Sequence, residues 1–324
     1  MRPASSISII ICTRNRAASL RPTLESLARV GVPPDWRAEV LVVDNGSTDE
    51  TEAVVRNTRL TNMAVRHLYE SKRGKSNALN AALAVAGGEI LLFTDDDVSV
   101  PTDWLTQMVT PLLEGWADAV VGKVVLAQNL LRPWLTTWHQ VFLAAVDRQI
   151  YPSVELVGAN MGFRRSVLER VPAFDPETGP GSPHCTNEET LFGLQLAEAG
   201  FNIRYIEPAT VTHHPEESRL QRGQWLAVVE RLGRTQAYIA HHWEHKLISN
   251  ARLRCFFYWV KLHLRRLLQP PQGHGSEGCP AWEMSYVLEM ERCRHFCFER
   301  RRPRNYSRRG LTKLDATPLA GASF

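Results

Sequence analysis

Glu89 to Asp97 reads Glu-Ile-Leu-Leu-Phe-Thr-Asp-Asp-Asp, an apolar run that passes without a break into three consecutive carboxylates. Successive strand side chains point to opposite sides of a sheet, so four apolar residues in a row, Ile90 to Phe93, suit a strand covered on both faces. Upstream, Gly87-Gly88 closes a helical pattern over 75–86, in which Leu79, Ala82, Leu83 and Ala86 recur at helical spacing. Further back come strand patterns at 63–68, 39–43 and 8–12, and a helix over 17–30 marked by Leu20, Leu24, Leu27 and Ala28. The 44–49 turn feeds a helix through Val54 and Val55, with Ser47 or Thr48 the expected N-cap. Downstream, Pro101 is expected in the first turn of a helix, strands near 119–126, 156–163 and 202–206, and a helix over 187–199 ended by Gly200.

This alternation is that of an α/β domain with a mostly parallel sheet. Ligands of such sheets bind outside the carboxyl ends of the strands, where Thr13, Asp44 and the three aspartates all fall. Past residue 215 the pattern turns helical, and 269–280, with Pro270-Pro271 and three glycines, reads as a linker.

Of the 324 residues, 44% are hydrophobic and 22% charged, which excludes disordered and fibrous classes. No apolar stretch reaches the roughly 18 residues of a membrane-spanning helix, and the run 7–12 is too short for a signal-peptide core. The six cysteines are scattered, as for reduced thiols in a cytoplasmic protein, and Cys279, Cys293, His295 and Cys297 lack the paired short spacings of a zinc ribbon. Between Lys246 and Lys313 stand 15 Lys and Arg against 5 Asp and Glu, so any basic partner surface belongs to the C-terminal third.

Three adjacent aspartates at the end of an apolar strand repel one another and call for a cation. Oxygen donors suit Mg2+ or Mn2+, ions that complete their shells with water and phosphate oxygens, so a nucleotide diphosphate fits. A solvated acidic turn capping the next helix is the competing reading. Arg73-Gly74-Lys75 precedes a helix N-terminus, where backbone donors and two cations can meet phosphate or sugar hydroxyls, or else lie exposed. Thr186-Asn187-Glu188-Glu189 reads as a capping box, Glu189 reaching back to Thr186.

Taken in order, Ile9-Ile10-Ile11-Cys12-Thr13-Arg14-Asn15-Arg16, Val42-Val43-Asp44-Asn45-Gly46-Ser47-Thr48-Asp49, Phe93-Thr94-Asp95-Asp96-Asp97 and Gly158-Ala159-Asn160-Met161-Gly162-Phe163-Arg164-Arg165 resemble the motifs of family 2 glycosyltransferases over roughly residues 7–215. The resemblance implies a GT-A fold, a Rossmann-like mixed sheet with helices on both faces, here with a C-terminal helical extension. It implies an inverting, metal-dependent transfer from a UDP- or GDP-linked sugar to a glycan or lipid-linked acceptor in cell-envelope polysaccharide synthesis. Thr13 and Asp44 would hold the nucleotide base, with Arg14, Asn15, Arg73, Gly74 and Lys75 also donor-binding. Asp95 and Asp97 would be the acids of the Asp-x-Asp motif, Asp97 on the metal, Asp95 near ribose or sugar and Asp96 supporting. Glu189 aligns with the catalytic base; the family usually shows Glu-Asp where this chain has Glu188-Glu189, one methylene longer. Of His213 and His214, His214 is the expected second metal ligand, and 215–222 a flap whose Arg219 meets phosphate. A non-catalytic nucleotide-sugar-binding or scaffold protein is the alternative.

The expected division is a catalytic domain at 1–215, a helical extension at 216–268, and a linker, helix and basic tail at 269–324. Between 249 and 268, Arg254, Lys261 and Arg265 share one helical stripe, while Phe256, Phe257 and Trp259 could enter a headgroup boundary. That predicts either a peripheral helix on an anionic membrane, at the inner face of the cell membrane, or a helix packed on the domain. The Arg300–Arg309 cluster comes without a nucleic-acid module, so nucleic acid is not expected as a partner.

Overall fold

The structure, a computed structural model, describes residues 5–145, 147, 155–269 and 277–314. Most of the expected linker, 270–276, and the end of the basic tail, 315–324, lie outside the described residues.

Strands β1 (Ser5–Thr13), β2 (Trp36–Asp44), β3 (Ala64–Tyr69) and β4 (Ile90–Asp95) are parallel. They alternate with helices α1 (Ala17–Leu27), α2 (Thr51–Asn57) and α3 (Lys75–Val85). Beyond them come β5 (Val98–Ser99), α4 (Trp104–Leu113), β6 (Ala119–Leu126), α5 (Thr137–Val141), β7 (Met161–Arg164), α6 (Glu188–Glu198) and β8 (Ile203–His213). The eight-stranded sheet runs β3-β2-β1-β4-β7-β6-β8-β5. It is mixed, because β7 is antiparallel to both β4 and β6, and β5 is antiparallel to β8.

Period-two alternation sorts the sheet's side chains into two layers. Ile7, Ile9, Ile11, Val40 and Val42 face a core shared with α1 and α4, while Ile10, Leu41 and Val43 face one shared with α3 and α6. Both cores exclude water, so these strands carry unbroken apolar runs. From β1 the chain builds outward to β2 and β3, then returns to lay β4 on the other side of β1. The crevice at such a reversal opens over the carboxyl ends of β1 and β4, which carry Thr13 and Asp95.

Several local expectations are corrected. Ser47 and Thr48 do not cap α2: its N-cap is Glu50, and the Asp49 carboxylate accepts from the Thr51 amide at 3.1 Å. Pro101 lies before α4, its carbonyl accepting from the Trp104 amide at 3.2 Å. The 156–163 strand shrinks to β7, whereas the one near 202 grows to the 11 residues of β8. The Thr186–Glu189 capping box is not formed: Asn187, at φ 65°, is the N-cap, and the Thr186 hydroxyl pairs with that of Thr235 at 2.9 Å.

Three further helices, α7 (Arg222–Tyr238), α8 (Ala251–Leu268) and α9 (Ala281–Glu299), pack mainly on one another. A π-helical turn, Ile239–Trp243, closes α7. Part of the expected basic stripe of α8 leans on α9, although Lys261 stays exposed and lies 4.4 Å from the Phe257 ring of α8 itself. Arg254 pairs with Glu289 at 3.5 Å, Lys261 lies 5.9 Å from the Tyr286 ring, and Arg265 lies 4.6 Å from the Trp282 ring, all partners on α9. Leu253, Phe256, Phe257, Trp259, Leu264 and Leu267 remain exposed. Among the described residues no helix is long and apolar enough to cross a membrane.

Candidate active site

The crevice opens into a cavity of about 1030 Å3 whose lining includes Thr13, Arg14, Arg73, Lys75, Asp95, Asp96, Asp97 and Glu189. Parallel pairing of β1 with β4 sets Cys12 beside Asp95, so the loops leaving both strands meet there. The Thr13 hydroxyl donates to Asp96 at 2.6 Å. Arg16, which sequence reasoning had not placed in the site, spans the acids, with Nε 3.1 Å from Asp96 and Nη2 2.6 Å from Asp97.

The three aspartates differ sharply in surroundings. Burial pushes the Asp96 carboxyl up to about 7, and the Asp97 charge adds to it, despite Arg16 and the Thr13 bond. Burial acts on Asp97 in the same sense, but His213, Arg16 and Arg219 hold its carboxyl well below the usual range. Asp95 lies 2.8 Å from Lys75 Nζ. Burial pushes the Cys12 thiol beside them up to about 12, so this cysteine stays protonated rather than nucleophilic.

The histidine that meets Asp97 is His213, with Nε2 3.1 Å from Oδ1. His214, the expected ligand, is exposed and bonds Ser99 Oγ at 3.0 Å, outside the cavity. The reason lies in β8, where Ala209, Val211 and His213 share the buried face and His214 follows on the opposite one. Pairing of Val98 with His213 brings the imidazole beside the loop of Asp97. The period-two pattern Ala209-x-Val211-x-His213 was the signal in the sequence that favoured this residue.

Asp44 stands back from the cavity, its Oδ1 accepting from the Ser47 amide at 2.7 Å and its Oδ2 3.5 Å from His67. Asn15 is likewise structural in its contacts, its side chain accepting from the Thr48 amide at 2.7 Å and tying the first loop to the second. Asn45, unnoticed in the sequence, donates to the Glu70 and Lys72 carbonyls and accepts from the Gly74 amide at 2.8 Å, so it shapes the 70–74 loop. Gly74 adopts φ 124°, and a Cβ there would sit 2.7 Å from Ser182 Oγ, so the turn that aims Lys75 needs glycine. In the 215–222 segment, Arg219 lines the cavity and donates to the Phe142 carbonyl at 3.0 Å.

Lys75 joins the acidic trio to the carboxylate pair. Its ammonium is 2.8 Å from Asp95 and 3.4 Å from Glu188. Burial would lower it, but these acids raise the lysine well above its ordinary value, so it stays charged. Both glutamates line the cavity; Glu188 is the more buried, and Glu189 Oε2 lacks a hydrogen-bond partner. Burial, and then the Glu188 charge, raise the Glu189 carboxyl well above the usual range. Clustered carboxylate oxygens with one imidazole form a donor set that fits Mg2+ or Mn2+, and Asp96, buried and only partly compensated, is the member that a divalent cation would relieve.

The family model described as glycosyl transferase family 2 matches residues 8–171, and that of glycosyl transferase family group 2 matches 90–273. The probable glycosyltransferase YdaM of Bacillus subtilis is 25% identical over 241 residues, 69% of this chain; the match spans 55% of that protein, about half its length. A glucosyl-dolichyl phosphate glucuronosyltransferase of Haloferax volcanii is 26% identical, over 68% of this chain and 72% of its own. The succinoglycan biosynthesis protein ExoA of Rhizobium meliloti is also 26% identical, over 73% and 71%. Among solved structures, the mannosyltransferase PcManGT of Pyrobaculum calidifontis, in complex with GDP-Man and Mn2+, superimposes with a TM-score of 0.58 at 20% identity, over 91% of this chain and 86% of that one. The likeness is one of fold, the GT-A arrangement.

Proposed function

The chain belongs to glycosyl transferase family 2, and from that premise we propose that it moves a sugar from a nucleotide-sugar donor to an acceptor hydroxyl with inversion at the anomeric carbon. The observation that carries this reading is the bridge made by Lys75, whose ammonium meets Asp95 of the acidic trio at 2.8 Å and Glu188, the neighbour of Glu189, at 3.4 Å.

The donor lies along the carboxyl ends of β1 and β4, its diphosphate near the Asp95–Asp97 loop and its nucleotide near Thr13, reaching past the cavity towards Asp44 at the end of β2. Asp97 and His213 hold the Mg2+ or Mn2+, with Asp96 as a further oxygen donor. The bound ion supplies positive charge to the departing diphosphate. Arg16 and Arg219, both lining the cavity, add cationic charge on the same side. Glu189 accepts the proton of the acceptor hydroxyl as its oxygen forms the bond to the anomeric carbon, and the bond to the diphosphate breaks on the opposite face. Its raised affinity for a proton suits that task.

Val228, Leu232 and Gln236 of α7 line the same cavity, which supports treating 1–215 as the catalytic domain and the 216–268 helices as its acceptor-side wall, followed by 269–324. A glycan or lipid-linked acceptor and peripheral attachment at the inner membrane face complete the reading. The attachment rests on the exposed aromatic face of α8 rather than on its cationic stripe.

A panel of UDP- and GDP-sugars with Mn2+, scored by released nucleotide diphosphate, tests the proposal. Asp97→Ala should lower turnover on the order of 100-fold or more. Glu189→Gln should retain donor binding and lose transfer. Full metal-dependent turnover in Asp97→Ala would remove Asp97 from the metal, and donor binding without turnover across the panel would favour a non-catalytic binding protein.

A further inference from the structure

Behind α6, away from the acidic trio, a second group of metal-ligating side chains gathers where the loop before that helix meets α9. His184, His295 and Glu299 each offer a donor atom, and the three atoms lie within 4.8 Å of one another. Glu299 is fully buried on the catalytic domain's side of α9, and His184 is 2% exposed.

The two oxygens of Glu299 have different surroundings. Oε2 accepts from His242 Nε2 at 2.9 Å and from Arg302 Nη1 at 3.0 Å. Oε1 has no hydrogen bond, although His295 Nε2 stands 2.9 Å away and His184 Nε2 3.6 Å away. Both of those nitrogens are themselves buried without hydrogen-bond partners. Three orphaned donor atoms in one place are rare in a folded interior. The 2.9 Å contact joins His295 and Glu299 as an i,i+4 ion pair, and both atoms share their small space with His184 Nε2.

Distances suit a metal centre. Tetrahedral zinc with ligand bonds of about 2.0–2.1 Å places its donors about 3.3 Å apart; the separations from Glu299 Oε1 are 2.9 and 3.6 Å, and the two imidazole donors lie within 4.8 Å of each other. Two imidazoles and one carboxylate, with a fourth position open to water, are a zinc donor set rather than the all-oxygen shell of Mg2+. The surroundings also orient the ligands, as metal sites require. The His184 ring lies against Tyr238 with centroids 4.3 Å apart, and His242, in the π-helical turn, fixes the Glu299 carboxylate through its other oxygen.

We propose that His184, His295 and Glu299 form a zinc site that fastens the loop leading to Glu188 and Glu189 onto α9. It is separate from the metal of the Asp97 region and does not depend on the proposed transfer reaction. The probe is Zn2+ itself. The full chain, loaded with Zn2+ and dialysed, should retain about one zinc per chain, measured by elemental mass spectrometry, and Co2+ put in its place should give the visible absorption of a four-coordinate ion. Asp97→Ala should keep the zinc and the absorption, whereas His295→Gln and His184→Gln should lose both while circular dichroism shows them folded. Stripping zinc should lower the Tm of the parent and leave that of His295→Gln unchanged. Absence of saturable Zn2+ binding by the parent chain, or equal zinc retention in both histidine variants, would overturn the site; loss of all zinc in Asp97→Ala would place the ion at the acidic trio instead.

Discussion

Glu188 and Glu189 follow one another at the start of α6 and both line the cavity; Glu188 pairs with the Lys75 ammonium at 3.4 Å, while Glu189 Oε2 has no hydrogen-bond partner. The negative charge of Glu188 disfavours ionisation of its neighbour and, after burial, is the largest cause of the raised Glu189 value. The sign of the consequence follows. A base works when deprotonated, so activity should climb with pH along an acid limb lying above the ordinary glutamate range. Glu188→Gln removes the neighbouring charge, lets Glu189 ionise at lower pH, and should move that limb of kcat/KM towards acid even if kcat falls through the loosened Lys75. A limb that stays in place would separate it from Glu189. At this scale the sequence was legible where chemistry alone identifies a group, as for Asp95–Asp97. It was harder to read where orientation decides: His213 and His214 are equivalent as letters, and the strand face that distinguishes them is written only in the period-two pattern before them. Arg16 was missed for the same reason, since its reach to Asp96 and Asp97 exists only once β1 and β4 pair.

At the scale of elements, the parallel strands β1 to β4 were readable because each is an apolar run bounded by turn residues, and their ends moved by only a few residues. β7 was overestimated because the residues before it are buried for other reasons. Leu156 packs behind the sheet against the α3 and α6 core, while Asn160 donates to the Lys123 and Ala209 carbonyls across β6 and β8. α8 shows the opposite difficulty. Its amphipathicity is plain, but which face turns inward depends on Trp282, Tyr286 and Glu289 of α9, beyond the intervening linker. With the cations engaged there, the outward face carries Phe256 and Trp259, 61% and 48% exposed, stacked with ring centroids 6.1 Å apart. Such a face suits the headgroup boundary of a bilayer. The parent should co-sediment with vesicles containing anionic lipid. Phe256→Glu with Trp259→Glu should abolish that while changing folding stability by less than about 1 kcal/mol, since the side chains are exposed. Reversing Arg254 and Lys261 to Glu should instead damage the α8–α9 contact and lower Tm. Equal vesicle binding by the aromatic double variant would end the membrane role of this face.

For the whole molecule, the question is whether the C-terminal helices are an appendage or part of one folding unit. Asp175, with its side chain fully buried before α6, accepts from the Tyr238 hydroxyl at 2.7 Å and the Tyr306 hydroxyl at 2.8 Å, and lies 2.7 Å from Lys313 Nζ. Glu177 adds Arg302, Asn305 and Lys313 to the same junction. Part of the basic tail that stood out in the sequence is thus neutralised by acids far upstream: Arg302 on Glu177, Arg309 on Glu198. None of this was legible in the sequence, because a charge surplus within one segment says nothing about carboxylates more than 100 residues away. Asp175→Ala would leave two phenols and a partly buried ammonium without their common acceptor. Breaking a buried charged network by removing one partner costs about 3–5 kcal/mol, against about 1 kcal/mol for losing a single neutral hydrogen bond as in Tyr306→Phe. Urea denaturation followed by both far-ultraviolet circular dichroism and tryptophan fluorescence checks this. The expected result is one transition, coincident by both probes, displaced to markedly lower urea in Asp175→Ala and only slightly in Tyr306→Phe. Two transitions, with only one displaced, would mean that the helices after residue 215 fold apart from the sheet domain, and that the wall they give the cavity is a docked part rather than a built one.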